Sequence, residues 1–160
     1  MLKHLRMQDV KLDSVDRQML QALNANARIS IADLARLLTM SAPSISERLR
    51  RLEESGIIQS FTIDVDPKLL GYELGFYVRI RPLPGQLSNV VSRIEQIEEI
   101  VSCDRITGDD CFIAKAYVRS TEELERVIDQ LIPYAQTHTS LIQSSPVSRR
   151  LLPLGETTTR

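Results

Sequence analysis

Cysteine is scarce in this chain: Cys103 and Cys111 are the only two among 160 residues, too few for a disulfide framework or a zinc site. The two histidines, His4 and His138, lie far apart, and neither has a catalytic companion. Aromatic residues make up only 4% of the chain. An excess of one charge is missing as well. Twenty Lys and Arg against 21 Asp and Glu leave a formal charge of −1, so the total does not announce a nucleic-acid binder. No stretch approaches the ~20 apolar residues of a membrane-spanning helix, and no N-terminal apolar segment resembles a signal peptide. No nucleophile–base pair, metal cluster or phosphate loop stands out. These absences predict a soluble, cytoplasmic protein with no membrane partner, cofactor, metal or catalytic residues, and not an enzyme.

What is present concentrates in Ile29–Ser55. Asp13 is placed to cap a first helix, Asp16 adds negative charge to its first turn, and Val15, Met19, Leu20 and Leu23 form one apolar stripe. Ser30 opens a second helix, whose buried side is Ile31, Leu34, Ala35 and Leu38. Thr39-Met40-Ser41 leaves room only for a tight turn. Ser41 then caps a third helix, and Pro43 is tolerated in its first turn because the early amides lack helical partners. Ile45, Leu49 and Leu52 face inward, and Gly56 with Ile57 ends the helix.

Three short helices with so brief a turn before the last describe a helix-turn-helix unit. The outer side of the third helix then carries Ser41, Pro43, Ser44, Glu47, Arg48 and Arg51, with Arg50 beside them. Small residues at its start allow close approach to a major groove. Ser44 and its neighbours are expected at base edges, and Arg48 and Arg51 at guanine or phosphates. The competing reading is a plain three-helix cluster whose arginines are a solvated face paired with Glu47, Glu53 and Glu54.

Downstream, Ile58–Val65 is strand-like and Asp66-Pro67 breaks it. Leu74, Phe76, Val78 and Ile80 alternate as one face of a strand, and Leu87, Val90, Val91, Ile94 and Ile97 have helical spacing. Ile100–Thr107 and Cys111–Arg119 read as strands around a Gly108-Asp109-Asp110 turn. Ser120 and Glu123 form a capping box for a helix through Leu131, and Thr137–Ser145 is a last strand. The order β-α-β-β-α-β is that of a ferredoxin-like sandwich. Two helices cover one face of such a sheet. The other would carry Tyr77, Ile113, Tyr117 and either Leu141 or Ile142, and a twin subunit is its natural cover.

The chain resembles the Lrp/AsnC (feast/famine) regulators. The resemblance is carried by Leu12-Asp13, Asp16-Arg17, Leu20 and Leu23, by Arg28-Ile29-Ser30, and by Glu47–Glu53 with Gly56-Ile57-Ile58. In the second half it rests on Thr107-Gly108-Asp109 and the strand Thr137–Gln143, so that it spans about residues 12 to 150. It implies a transcription regulator that binds double-stranded promoter DNA through its first half, forms homodimers and often octamers, and takes an amino acid or similar small effector at interfaces of its second half. The family's effector loop reads Gly-Asp-x-Asp. Gly108 and Asp109 match it, but Cys111 occupies the second Asp position with Asp110 before it. Either Asp110 substitutes, or the ligand differs, or sensing is lost; Asp110, Cys111 and Thr139 complete the expected effector residues. A plain hairpin turn also accounts for Gly108-Asp109-Asp110, and Cys111 reads best as an inert thiol.

The expected architecture is therefore α+β. A helix-turn-helix (winged-helix-like) domain spans residues 1–60, a linker strand 61–72, a ferredoxin-like βαββαβ domain for sensing and oligomerisation 73–154, and a disordered tail 155–160. The expected function is a sequence-specific DNA-binding regulator modulated by an amino acid or related small effector. The alternatives are a low-specificity architectural DNA binder and a small metabolic enzyme built on the second half.

Overall fold

Helices form where caps and apolar spacing place them. In the computed structural model, which describes residues 11–147 and 150–155, α1 runs Ser14–Ala25, α2 Ile31–Leu37 and α3 Ala42–Glu54. At the start of α1 the Asp13 side chain accepts the Asp16 amide at 2.8 Å, and the Asp16 side chain accepts the Asp13 amide at 3.1 Å. This reciprocal box satisfies two amides that no helical carbonyl can reach. The Ser30 hydroxyl caps α2 through the Asp33 amide, and the Ser41 hydroxyl caps α3 through the Ser44 amide. Gly56, at φ +76°, closes α3 in the left-handed region, and the Ile58 amide donates to the Leu52 carbonyl. Met19, Leu34, Ile45 and Leu52 are fully buried between the three helices. Each contributes about 1.5–3 kcal/mol.

The chain divides into two compact units. One takes in the chain as far as Ile63 together with the segment from Val147, and the other is Asp64–Pro146. Leu151 and Leu154, which fall within the expected 73–154 domain, instead pack on the helix-turn-helix core. The tail expected to be disordered lies, apart from Gly155, outside the described residues, as does His4. The predicted strand at Ile58–Val65 is absent: this stretch carries no ladder, and Phe61, Ile63 and Val65 are exposed. Apolar alternation suits a strand but cannot make one without a partner edge. The second unit begins with a single 3-10 turn, Lys68–Leu70, ended by Gly71 at φ +84°.

From there the order is β1 (Leu74–Pro82), α4 (Leu87–Gln96), β2 (Ile100–Arg105), β3 (Phe112–Val118), α5 (Thr121–Asp129) and β4 (Ala135–Leu141). The sheet order is β2-β3-β1-β4 with all neighbours antiparallel, which is the ferredoxin-like arrangement. Phe76, Val78 and Ile80 from β1 and Phe112, Ala114, Ala116 and Val118 from β3 share a core with Val90 and Ile94 of α4 and Val127 of α5. At α5 only half of the expected capping box forms. The Ser120 hydroxyl accepts the Glu123 amide, while the Glu123 carboxylate accepts the Arg119 amide. No helix among the described residues is long and apolar enough to cross a membrane.

The turn between α2 and α3 carries one strained residue. Thr39 has φ +54°, a left-handed conformation that a β-branched side chain adopts at a cost of about 1–3 kcal/mol. Its side chain is exposed, so packing does not compensate. Thr39→Asn is expected to raise stability by about 1 kcal/mol, since asparagine tolerates this region. A higher urea midpoint for the helical transition would agree, and an unchanged or lower one would show that Thr39 is not strained.

Candidate functional site

The third helix presents the surface the sequence predicts, but not the charge. Ser41, Ala42, Pro43, Ser44, Ser46 and Glu47 are exposed, because burying Ile45 and Leu52 turns this side outward. The Ser41 and Ser44 hydroxyls lie 2.8 Å apart, so the first turn offers a compact, neutral hydrogen-bonding edge. Arg48 and Arg51 depart from the expectation that they stand free to meet a duplex. Arg48 Nη1 contacts Asp13 Oδ2 at 2.5 Å and Asp16 Oδ1 at 2.8 Å. Arg51 Nη2 contacts Asp16 Oδ2 at 2.6 Å. The Asp16 side chain is 0% exposed.

The physical reason is the burial of Asp16. A carboxylate removed from water needs a cation and full hydrogen bonding, and the third helix supplies two guanidinium groups within reach. Burial would raise the pKa of Asp13, but the Asp16 amide and the Arg48 guanidinium outweigh it and hold Asp13 below its ordinary value of 3.8. Hydrogen bonding to Asp13 and Asp16 raises that of Arg48. The remaining arginine, Arg50, bonds Glu47 at 2.6 Å and Glu54 at 2.5 Å, and Arg50 in turn lowers the value for Glu47.

In the second unit the structure brings together part of the expected effector set. Gly108 takes φ +113° in the loop between β2 and β3. There Asp109 is 92% exposed and Asp110 is 24% exposed. Arg81 approaches Asp109 at 3.5 Å and Asp110 at 3.6 Å, and Arg79 approaches Asp110 at 3.8 Å. Cys111 is half-buried, and its amide donates to the Ile80 carbonyl at 3.0 Å. Thr139 is not part of this cluster: it pairs with Val78 in β1 and so lies on the helix-covered face of the sheet. Arg79 and Arg81, on the open face, had no place in the sequence reading. The alternation of Phe76, Val78 and Ile80 would have put them there beside Tyr77. Burial raises the Cys103 thiol, with Asp104 adding to the effect.

The open face of the sheet carries Tyr77, Lys115 and Tyr117, with the Lys115 ammonium 5.1 Å from the Tyr117 ring centre and 6.0 Å from that of Tyr77. Ile142, rather than Leu141, is the apolar residue of the last strand on this face. Leu141 pairs with Phe76 on the covered side, while the Ile142 amide donates to the Gly75 carbonyl. Gly75 leaves room for Tyr117, whose ring carbon would sit 2.9 Å from a Cβ at that position.

Residues 12–59 match the family described as winged helix-turn-helix DNA-binding, and residues 75–152 match the Lrp/AsnC ligand binding domain. The HTH-type transcriptional regulator LrpC of Bacillus subtilis is 36% identical over 135 residues, 84% of this chain and 94% of that protein. The regulatory protein AsnC of Escherichia coli is 29% identical over 152 residues, 92% of this chain and 100% of that one. Among solved structures, that of B. subtilis LrpC has a TM-score of 0.83 at 34% identity, covering 87% of this chain and 99% of the other. The feast or famine regulatory protein from M. tuberculosis complexed with L-methionine has a TM-score of 0.82 at 29% identity, with coverage of 88% and 98%.

Removing the Asp16 carboxylate tests how strongly α1 and α3 are tied. Asp16→Ala is expected to cost on the order of 3 kcal/mol, the low end for breaking a buried ion pair, because both arginines can rehydrate at the half-exposed rim. Chemical denaturation followed by circular dichroism reads this directly; a loss below about 0.5 kcal/mol, typical of a surface change, would rule the role out.

Proposed function

Because the chain belongs to the Lrp/AsnC family of helix-turn-helix transcriptional regulators, we propose that it binds promoter DNA sequence-specifically through the exposed start of α3 and responds to a small effector through its second unit. The observation that carries this reading is the surface of α3. Ser41, Pro43, Ser44 and Glu47 form an exposed edge on a helix whose opposite side is fixed in a core. Helix-turn-helix units place the N-terminal residues of their second helix against base edges. Hydroxyls bond either base type, and a carboxylate such as Glu47 accepts from the cytosine amino group.

The open sheet face supports self-association. Tyr77 and Tyr117 present large rings there, and a second copy is the cover that symmetry supplies most simply. A two-fold dimer would place two α3 helices on half-sites about 34–36 Å apart; further assembly to an octamer is compatible with the same units. For the effector, Asp109 and Asp110 suit an α-amino group and the neighbouring Arg79 and Arg81 suit a carboxylate, so an amino acid is the chemical class that fits. The relative solved with L-methionine makes that amino acid the first probe. The family relationship argues against catalytic turnover as the primary role.

Footprinting across the genome, with and without amino acids, tests these statements together. The expected result is protection of a few discrete sites, each spanning two half-sites one helical turn apart, with an amino acid altering occupancy for the wild type but not for Asp109→Asn. Uniform coating of unrelated DNA would instead favour the low-specificity architectural binder.

A further inference from the structure

The third helix carries three arginines, yet each is matched by carboxylates. Arg48 and Arg51 bond Asp16 and Asp13, and Arg50 bonds Glu47 and Glu54. Counting Arg48, Arg50 and Arg51 against Asp13, Asp16, Glu47, Glu53 and Glu54 gives three positive and five negative charges, a net of −2 for this cluster. The two arginine pairs differ in kind. Glu47, Arg50 and Glu54 are all more than half exposed, so water and salt screen them and they exchange readily. Asp16 is wholly buried. Its Oδ1 accepts from Arg48, and its Oδ2 accepts both from Arg51 and from the Asp13 amide. Releasing either arginine toward a phosphate would leave this carboxylate underbonded away from water, a cost that a single screened phosphate contact does not offset.

The cation that shares the exposed start of α3 comes from α2. A hollow of about 560 Å³ at the turn between the two helices is lined by Arg36 together with Thr39, Met40, Ser41 and Ala42. Among the described residues Arg36 is held only by an i,i+3 contact to Asp33 at 3.1 Å, and its side chain is 78% exposed. In a helix-turn-helix the helix before the reading helix crosses the phosphate backbone, and Arg36 has the reach and freedom for that contact.

We propose that Asp16 is a charge-masking and positioning residue of the DNA-contacting helix: it withholds Arg48 and Arg51 from the phosphates, leaving base discrimination to the neutral Ser41–Ser44 edge and phosphate contact to Arg36. This rests on the DNA-binding reading above. Masking makes binding less dependent on bulk charge and more dependent on base contacts, because phosphate attraction is blind to sequence. The cluster thus favours specificity over raw affinity.

The salt dependence of binding separates this from a purely structural role. Each phosphate contact contributes about 0.9 to the slope of log K against log salt concentration, and a two-fold dimer makes every contact twice, so slope changes are counted per subunit. Fluorescence anisotropy with a footprinted duplex and a random duplex, titrated with KCl, is expected to give a slope reduced by about 0.9 for Arg36→Ala and unchanged within about 0.3 for Arg51→Ala. Asp16→Asn is expected to steepen the slope by about one to two and to tighten binding to the random duplex several-fold. A structural role alone would weaken binding at every salt concentration without steepening it. A slope reduced by about 0.9 in Arg51→Ala, or unaltered in Arg36→Ala, overturns the assignment. If Asp16→Asn does not fold, the comparison of Arg36→Ala with Arg51→Ala decides alone. A wild type that binds no duplex even at low salt would remove the DNA-binding reading itself, an outcome distinct from a misassigned arginine.

Discussion

A single buried carboxylate links the first helix to the third. Asp16 sits in the first turn of α1 with no exposure, and it meets Arg48 and Arg51 of α3 at 2.8 and 2.6 Å. Apolar packing of Met19, Leu34, Ile45 and Leu52 drives the helices together, but it is non-directional and tolerates small rotations. Ion pairs with fixed acceptors do not. They set the rotation of α3 about its own axis, and with it the direction in which Ser41, Ser44 and Glu47 point. The same pairs offset two positive charges at the surface.

The second unit solves a different problem with alternation rather than a buried charge. Along β1 the residues Phe76, Val78 and Ile80 go to the helix side, which puts Tyr77, Arg79 and Arg81 on the open side. The arginines meet Asp109 and Asp110 of the β2–β3 loop at 3.5–3.8 Å, longer than direct hydrogen bonds. The loop is therefore tethered electrostatically without being sealed. Nearby, Gly75 clears the space in which Tyr117 lies.

Much of this was legible in the sequence, and the part that was not has a clear physical origin. Caps at Asp13, Ser30 and Ser41, the glycine stop at Gly56 and the period-two run in β1 are local signals, and local physics decides them. The strand at Ile58–Val65 failed because a strand is a pairwise object and this stretch pairs with no edge of the sheet. The arginines of α3 were expected at guanine or phosphates, with a solvated face as the competing reading, because charge on a helix usually faces outward. The contrary signal was nevertheless present. Asp16, Met19, Leu20 and Leu23 fall at i, i+3, i+4 and i+7, so Asp16 lies on the apolar stripe itself. Arg48 likewise stands three residues after Ile45 and four before Leu52. Opposite charges on two buried stripes imply a partnership across the core. Thr139 lies apart from the Asp109–Asp110 cluster for a related reason, since its face depends on register with β1, which sequence spacing does not give.

The central claim is that Asp16 and the arginines of α3 interact directly and thereby orient the helix. A double-mutant cycle between Asp16→Ala and Arg51→Ala, read by urea unfolding, measures that interaction most directly. The account predicts a coupling energy of about 1 kcal/mol or more, within the range for residues in one ion-pair network. Losses that simply add, within about 0.3 kcal/mol, would contradict it.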